Sequence, residues 1–89
     1  MKGEGVREEK KVEVTIRGKK YEVTRKKIER SLRDLSPRRV SMYSVSFDNR
    51  LFPIKQVVAE TLKISPLVFG TSTAYQILVD LGFVIIKRP

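Results

Sequence analysis

Between Tyr43 and Leu62 the chain switches hydrophobic period within twenty residues, and that switch constrains the fold more than any other feature. Tyr43, Val45 and Phe47 alternate with Ser44 and Ser46, so a pleated strand buries the first set and wets the second. Asp48, Asn49 and Arg50 supply turn chemistry, because Asp and Asn bond their own backbone and tolerate left-handed geometry. Pro53 rules out a continuing ladder and suits the first position of a helix. Ile54, Val57, Val58 and Leu62 follow at helical spacing, with Lys55, Gln56 and Glu60 off that face. Burying each of these four contributes roughly 1.5 to 3 kcal/mol before entropy is charged, so this unit is the predicted folding core.

The flanking segments add elements around it. Residues 1–10 are polar and charged with Gly3 and Gly5, and read as a flexible tail; residues 11–89 read as one α+β domain. Val12, Val14 and Ile16 alternate with polar residues, as do Tyr21 and Val23. A type II′ turn at Gly18 and Lys19 pairs Ile16 with Tyr21 and Val14 with Val23, with every apolar side chain on one face. Thr24 caps a helix running to about Leu35, with Ile28, Leu32 and Leu35 as its buried stripe. Beyond the central helix, Ser65 and Pro66 open a short turn in which Leu67, Val68 and Phe69 pack inward. Thr71, Ser72 and Thr73 offer N-caps for a last helix with Ala74, Ile77, Leu78 and Leu81 inside, and Gly82 suits its C′ position. The unbroken run Phe83 to Ile86 predicts a strand buried on both faces, beside Tyr43 to Phe47. The expected fold is therefore α+β, an N-terminal β-hairpin followed by α-β-α-α-β with a small sheet, and the order of elements from Thr24 to Lys87 resembles a winged-helix-like core.

Size and composition narrow the chemistry. A chain of 89 residues buries only about 60 to 65% of its unfolded surface, so a large cofactor cavity is not expected. Cysteine and histidine are both absent, which removes disulfides, thiolate zinc sites and the usual general base. Asp48, Glu60 and Asp80 are dispersed, and no glycine-rich phosphate loop follows a strand, so no enzyme, cofactor or metal is expected. No apolar run approaches the roughly 20 residues of a membrane span, which leads to the expectation of a soluble, cytoplasmic protein without a membrane partner. Charged residues reach 33% against roughly 25% in ordinary domains, a composition that points to a thermophilic, archaeal kind of source.

The formal charge of +9 is uneven. From Arg17 to Arg39, ten Lys or Arg stand against Glu22, Glu29 and Asp34, a net +7; Leu51 to Pro89 carries only +2. Such asymmetry favours a polyanion, nucleic acid first. Arg17, Lys19 and Lys20 crowd the hairpin tip. Arg25, Lys26 and Lys27 fill the first turn of the helix, the wrong sign for its dipole by roughly 0.3 to 1 kcal/mol each. A phosphate bound there would turn that penalty into a gain. Arg30, Arg38 and Arg39 extend the same positive face, and Arg50 and Lys55 flank the central turn.

The segment VVAETLKISPLVFGTSTAYQILVDLGFVI resembles part of a winged helix-turn-helix, with TSTAYQILVDLG in the place of the recognition helix. That resemblance implies Thr71, Ser72, Thr73, Tyr75 and Gln76 facing the major groove. The helix carries no Lys or Arg, and the link from Ile64 to Gly70 exceeds the usual three or four residues. From Ser44 to Ile85, a strand, a turn, an aromatic-Pro-x-Lys helix and a closing Leu-Gly-Phe-Val also resemble the N-terminal head domain of modified-cytosine-dependent restriction endonucleases. The matching residues are Phe52, Pro53, Lys55, Phe69, Leu81, Gly82 and Phe83, and they imply a DNA-associated accessory module without cleavage.

The reading is a small basic nucleic-acid-binding module that grips phosphates, with double-stranded DNA ahead of RNA. Six phosphate contacts would give a log-log salt slope near about −5. Tyr21, Tyr43 and Phe47 read as core rather than as a stacking platform for single strands. The alternative is a protein-interaction adaptor or dimerising subunit with a basic face, which meets an acidic partner or pairs its edge strand with another chain, as in a homodimer.

Overall fold

The computed structural model describes residues 10–36 and 42–88. It is an α+β structure with two small antiparallel sheets. Strands β1 (Lys11–Ile16) and β2 (Lys19–Thr24) form the N-terminal hairpin and lead directly into helix α1 (Arg25–Asp34). Strands β3 (Tyr43–Phe47) and β4 (Arg50–Pro53) form a second hairpin, followed at once by α2 (Ile54–Leu62). A single 3-10 turn (Pro66–Val68), helix α3 (Thr71–Asp80) and strand β5 (Ile85–Lys87) complete the chain. The expected tail lies outside the described residues, except for Lys10.

The first hairpin differs from its expected register by two residues. The turn is Arg17–Gly18, both at positive φ (53° and 79°), as in a type I′ turn, and Val14 pairs with Tyr21 and Val12 with Val23. A shift of two preserves side-chain facing, so the apolar face survives and turn geometry alone decides the register. A greater departure lies at Pro53, which does not exclude a ladder. Asp48 and Asn49, at φ 55° and 62°, form a second two-residue turn, and β4 returns along β3 with Phe47 opposite Arg50 and Ser44 opposite Pro53. Because β4 is an edge strand, the missing N–H of Pro53 breaks no central ladder. Pro53 is then the N-cap of α2 rather than its first residue.

Strand β3 lies between β4 and β5, so the final strand is beside Tyr43–Phe47 as expected. It is not buried on both faces. Phe83 is buried and Ile85 half-buried, while Val84 is 64% and Ile86 42% exposed, the alternation of a strand with one wet face. Ser44 reverses its expected role: it is only 2% exposed, and its hydroxyl has no hydrogen-bond partner. Leu67 points outward at 86% exposure, while Phe69 is buried in the core and Val68 is half-buried against it.

The core joins all the elements. Val23, Ile28, Val45, Phe52, Val57, Val58, Ile77, Leu78 and Leu81 belong to one continuous cluster of buried side chains. Thr24 caps α1 by accepting from the Lys27 N–H at 3.2 Å. The cap of α3 is Gly70, without a side-chain bond, so Thr71, Ser72 and Thr73 are first-turn residues and not caps. At its other end Gly82 (φ 88°) donates to the Val79 carbonyl and Phe83 to that of Leu78, a Schellman closure.

Candidate nucleic-acid interface

Helix α1 faces two ways. Ile28 and Leu32 point to the core, and Ser31 meets Thr61 of α2 with the hydroxyls 2.9 Å apart. Spacing then puts Lys26, Arg30 and Arg33 on the opposite side, in successive turns and all exposed. The ridge spans about 10 Å at 1.5 Å per residue. Glu29, the acid within this run, turns aside to Arg25, with Nε to Oε2 at 3.1 Å. Arg33 was missed by sequence reasoning, although its i, i+3 relation to Arg30 could have found it.

The three cations at the start of α1 do not act as one group. Arg25 folds back across the domain: its guanidinium donates to the Leu81 carbonyl at 3.1 Å and lies 4.3 Å from the centre of the Phe83 ring. It closes the C-terminus of α3, where a positive charge meets the negative end of the helix dipole. Lys27 donates to the Glu22 carbonyl at 3.1 Å. Lys26 remains exposed on the outer ridge.

The first hairpin places Arg17, Lys19 and Lys20 at its exposed tip, about 20 Å from α1 by the length of β2. Lys19 rests 5.8 Å from the centre of the Tyr21 ring. Glu13 opposes Glu22 on the outer face of this hairpin, and Lys11 pairs with Glu22 at 3.4 Å, so the tip and the ridge are not one unbroken basic stripe. Arg50 is exposed at the start of β4 and lines a depression together with Arg33. Lys55 is half-buried, with Nζ 5.6 Å from the centre of the Phe69 ring. Arg38 and Arg39 lie outside the described residues.

The hydroxyl and amide residues of α3 sit in different surroundings. Thr71, Ser72 and Gln76 are exposed and Thr73 half-buried. Ser72, Thr73 and Gln76 border a groove of about 330 Å³ between α3 and β1, whose lining includes Glu13 and Asp80 and no basic residue. Gln76 donates to Asp80 at 2.8 Å. Tyr75 meets Tyr43 edge-on at 5.6 Å, while Tyr21, Tyr43 and Phe47 are half-buried against the core.

No protein-family model matches the chain, and neither a curated protein nor a solved structure matches it. The site must therefore be read from its own chemistry. Among the described residues no three Asp or Glu side chains gather to hold a metal ion, and no helix is long and apolar enough to cross a membrane. What the fold does gather is Lys26, Arg30 and Arg33 on one helix, with Arg50 at the start of β4 lining a depression with Arg33.

Proposed function

We propose that the protein binds nucleic acid, double-stranded DNA ahead of RNA, through phosphate contacts along the outer ridge of α1. The observation that carries this reading is the alignment of Lys26, Arg30 and Arg33 on one exposed face. Arg30 and Arg33 have no ion-pair partner among the described residues. A row of cations on one helix meets phosphates with its backbone already ordered, and phosphate contacts supply affinity without carrying sequence information. The acidic groove beside α3 speaks for α1 rather than α3 as the element nearest the duplex. The half-buried state of Tyr21, Tyr43 and Phe47 favours a duplex over a stacked single strand. Four contacts, from Lys26, Arg30, Arg33 and Arg50, predict a salt slope of about −3.6. A titration of labelled duplex, single-stranded DNA and RNA at several salt concentrations tests this; a duplex slope shallower than about −1 defeats it.

A second reading, self-association, is favoured by β5. It is an edge strand, with Ile86 exposed within it and Val84 exposed just before it. Paired edges of two copies would extend the sheet. Sedimentation of the protein without nucleic acid distinguishes a dimer from a monomer.

A further inference from the structure

Arg33 stands in the last turn of α1, and Arg50 opens β4 immediately after the Asp48–Asn49 turn. Both are exposed, and neither makes an ion pair or hydrogen bond among the described residues. They line one depression of about 110 Å³ with Leu32, Phe47, Phe52 and Asp48. Leu32 and Phe52 are 2% and 1% exposed, so the base of this depression is the core itself and is held in place. Its volume is on the scale of a few waters, each about 30 Å³ in the liquid, which suits a compact anion. Phe52 shows no open ring face on which a base could stack.

Two guanidinium groups on the rim of one depression repel each other, weakly, because both are exposed and water screens them. Asp48 offsets one of the two charges and leaves the depression at net +1. An anion between the arginines relieves the repulsion, and guanidinium matches phosphate with two parallel N–H bonds where an ammonium offers a point charge. The geometry points to a two-arginine phosphate site at the junction of α1 and the β3–β4 turn, taking a phosphodiester of the nucleic-acid backbone. This site rests on the nucleic-acid reading and names the chemical group that its second hairpin engages.

The test is a titration of the full chain against mixed-sequence duplex DNA at several sodium chloride concentrations. Arg33→Gln and Arg50→Gln each lower affinity about fivefold at 0.15 M salt and flatten the slope by about 0.9; together they lower it about 30-fold and flatten the slope by about 1.8. Asp48→Asn, which keeps a residue tolerant of left-handed backbone, raises affinity by up to about threefold, the effect of one unit charge across ~6 Å of water. Arg33→Lys with Arg50→Lys restores the slope but leaves affinity below that of the unaltered chain, and it supplies the test should the glutamine pair fail to fold. The proposal is overturned if the double glutamine variant keeps the parental affinity and slope, or loses affinity with no change of slope. It is also overturned if the lysine pair binds as tightly as the parent. Absence of duplex binding by the unaltered chain overturns the wider reading with it, whereas parental binding with an indifferent double variant overturns this site alone.

Discussion

Replacing Arg25 with Ala separates a structural role from a binding one. Its guanidinium donates to the Leu81 carbonyl at 3.1 Å, stacks over Phe83 at 4.3 Å and pairs with Glu29 at 3.1 Å. A hydrogen bond from a charged group contributes roughly 1.5 to 3 kcal/mol, and the part-exposed position argues for the lower end. Stacking of the cation adds about 0.5 kcal/mol, and the exposed i, i+4 pair about 0.3. Because these contacts share one side chain they do not add fully, and about 2 kcal/mol is the working figure. For a domain of this size that corresponds to a melting temperature lower by about 8 to 16 °C. Thermal unfolding followed by circular dichroism reads the shift, and a duplex titration on the same protein reads the other half of the argument: the salt slope should hold. Had Arg25 been a phosphate ligand, the slope would flatten by about 0.9 with little change in melting. A melting shift under about 3 °C together with that flattening refutes the strut.

Four further substitutions probe the frame. Phe52→Ala opens the core beneath the second hairpin and should cost about 3 to 5 kcal/mol in urea unfolding, enough to leave much of the chain unfolded. Gly82→Ala places a Cβ 3.2 Å from the Arg25 guanidinium on a backbone at φ 88°, and should cost at least about 1 kcal/mol by the same measurement. Lys63→Gly should stabilise by up to about 1 kcal/mol, since Lys63 holds the left-handed C-cap of α2 (φ 60°) and its pair with Glu60 is exposed. Ser44→Ala removes a buried hydroxyl that has no partner, so the unfolding midpoint should stay level or rise.

Helix and strand periods carried most of the fold. The stripes Ile28–Leu32 and Ile54–Val57–Val58 followed from spacing and the Thr24 cap and Gly82 closure from residue type, and β5 lies beside β3 as expected. The errors have local causes. A hairpin whose two candidate turns differ by two residues preserves side-chain facing, so alternation could not choose between them. Strand β4 is four residues long and ends in proline, and its pairing is visible only once Asp48 and Asn49 are seen to take left-handed backbone. Phe83 to Ile86 reads as uniformly apolar, yet Val84 and Ile86 face solvent, because β5 lies at the edge of its sheet rather than between two strands. Of the candidate site, charge asymmetry singled out the segment from Arg17 to Arg39, in which residues Arg25–Asp34 form α1. It could not tell which cations the protein uses for itself.

That distinction decides what the net charge means. A count of basic residues treats Arg25, Lys27 and Arg33 alike, but the first two answer carbonyl oxygens within the domain and the third has no partner among the described residues. Counterion release follows only cations that meet phosphates, so the salt dependence should track the exposed and aligned residues rather than the formal +9. The missed strand matters here more than for the fold itself. By returning the chain at Asp48–Asn49, it brings Arg50 next to Arg33, and a basic helix acquires a neighbouring cation held on a separate element. A single helix offers a straight row, whereas two elements fixed on one core offer cations on two sides of an anion, and that arrangement can hold a phosphate in a defined place.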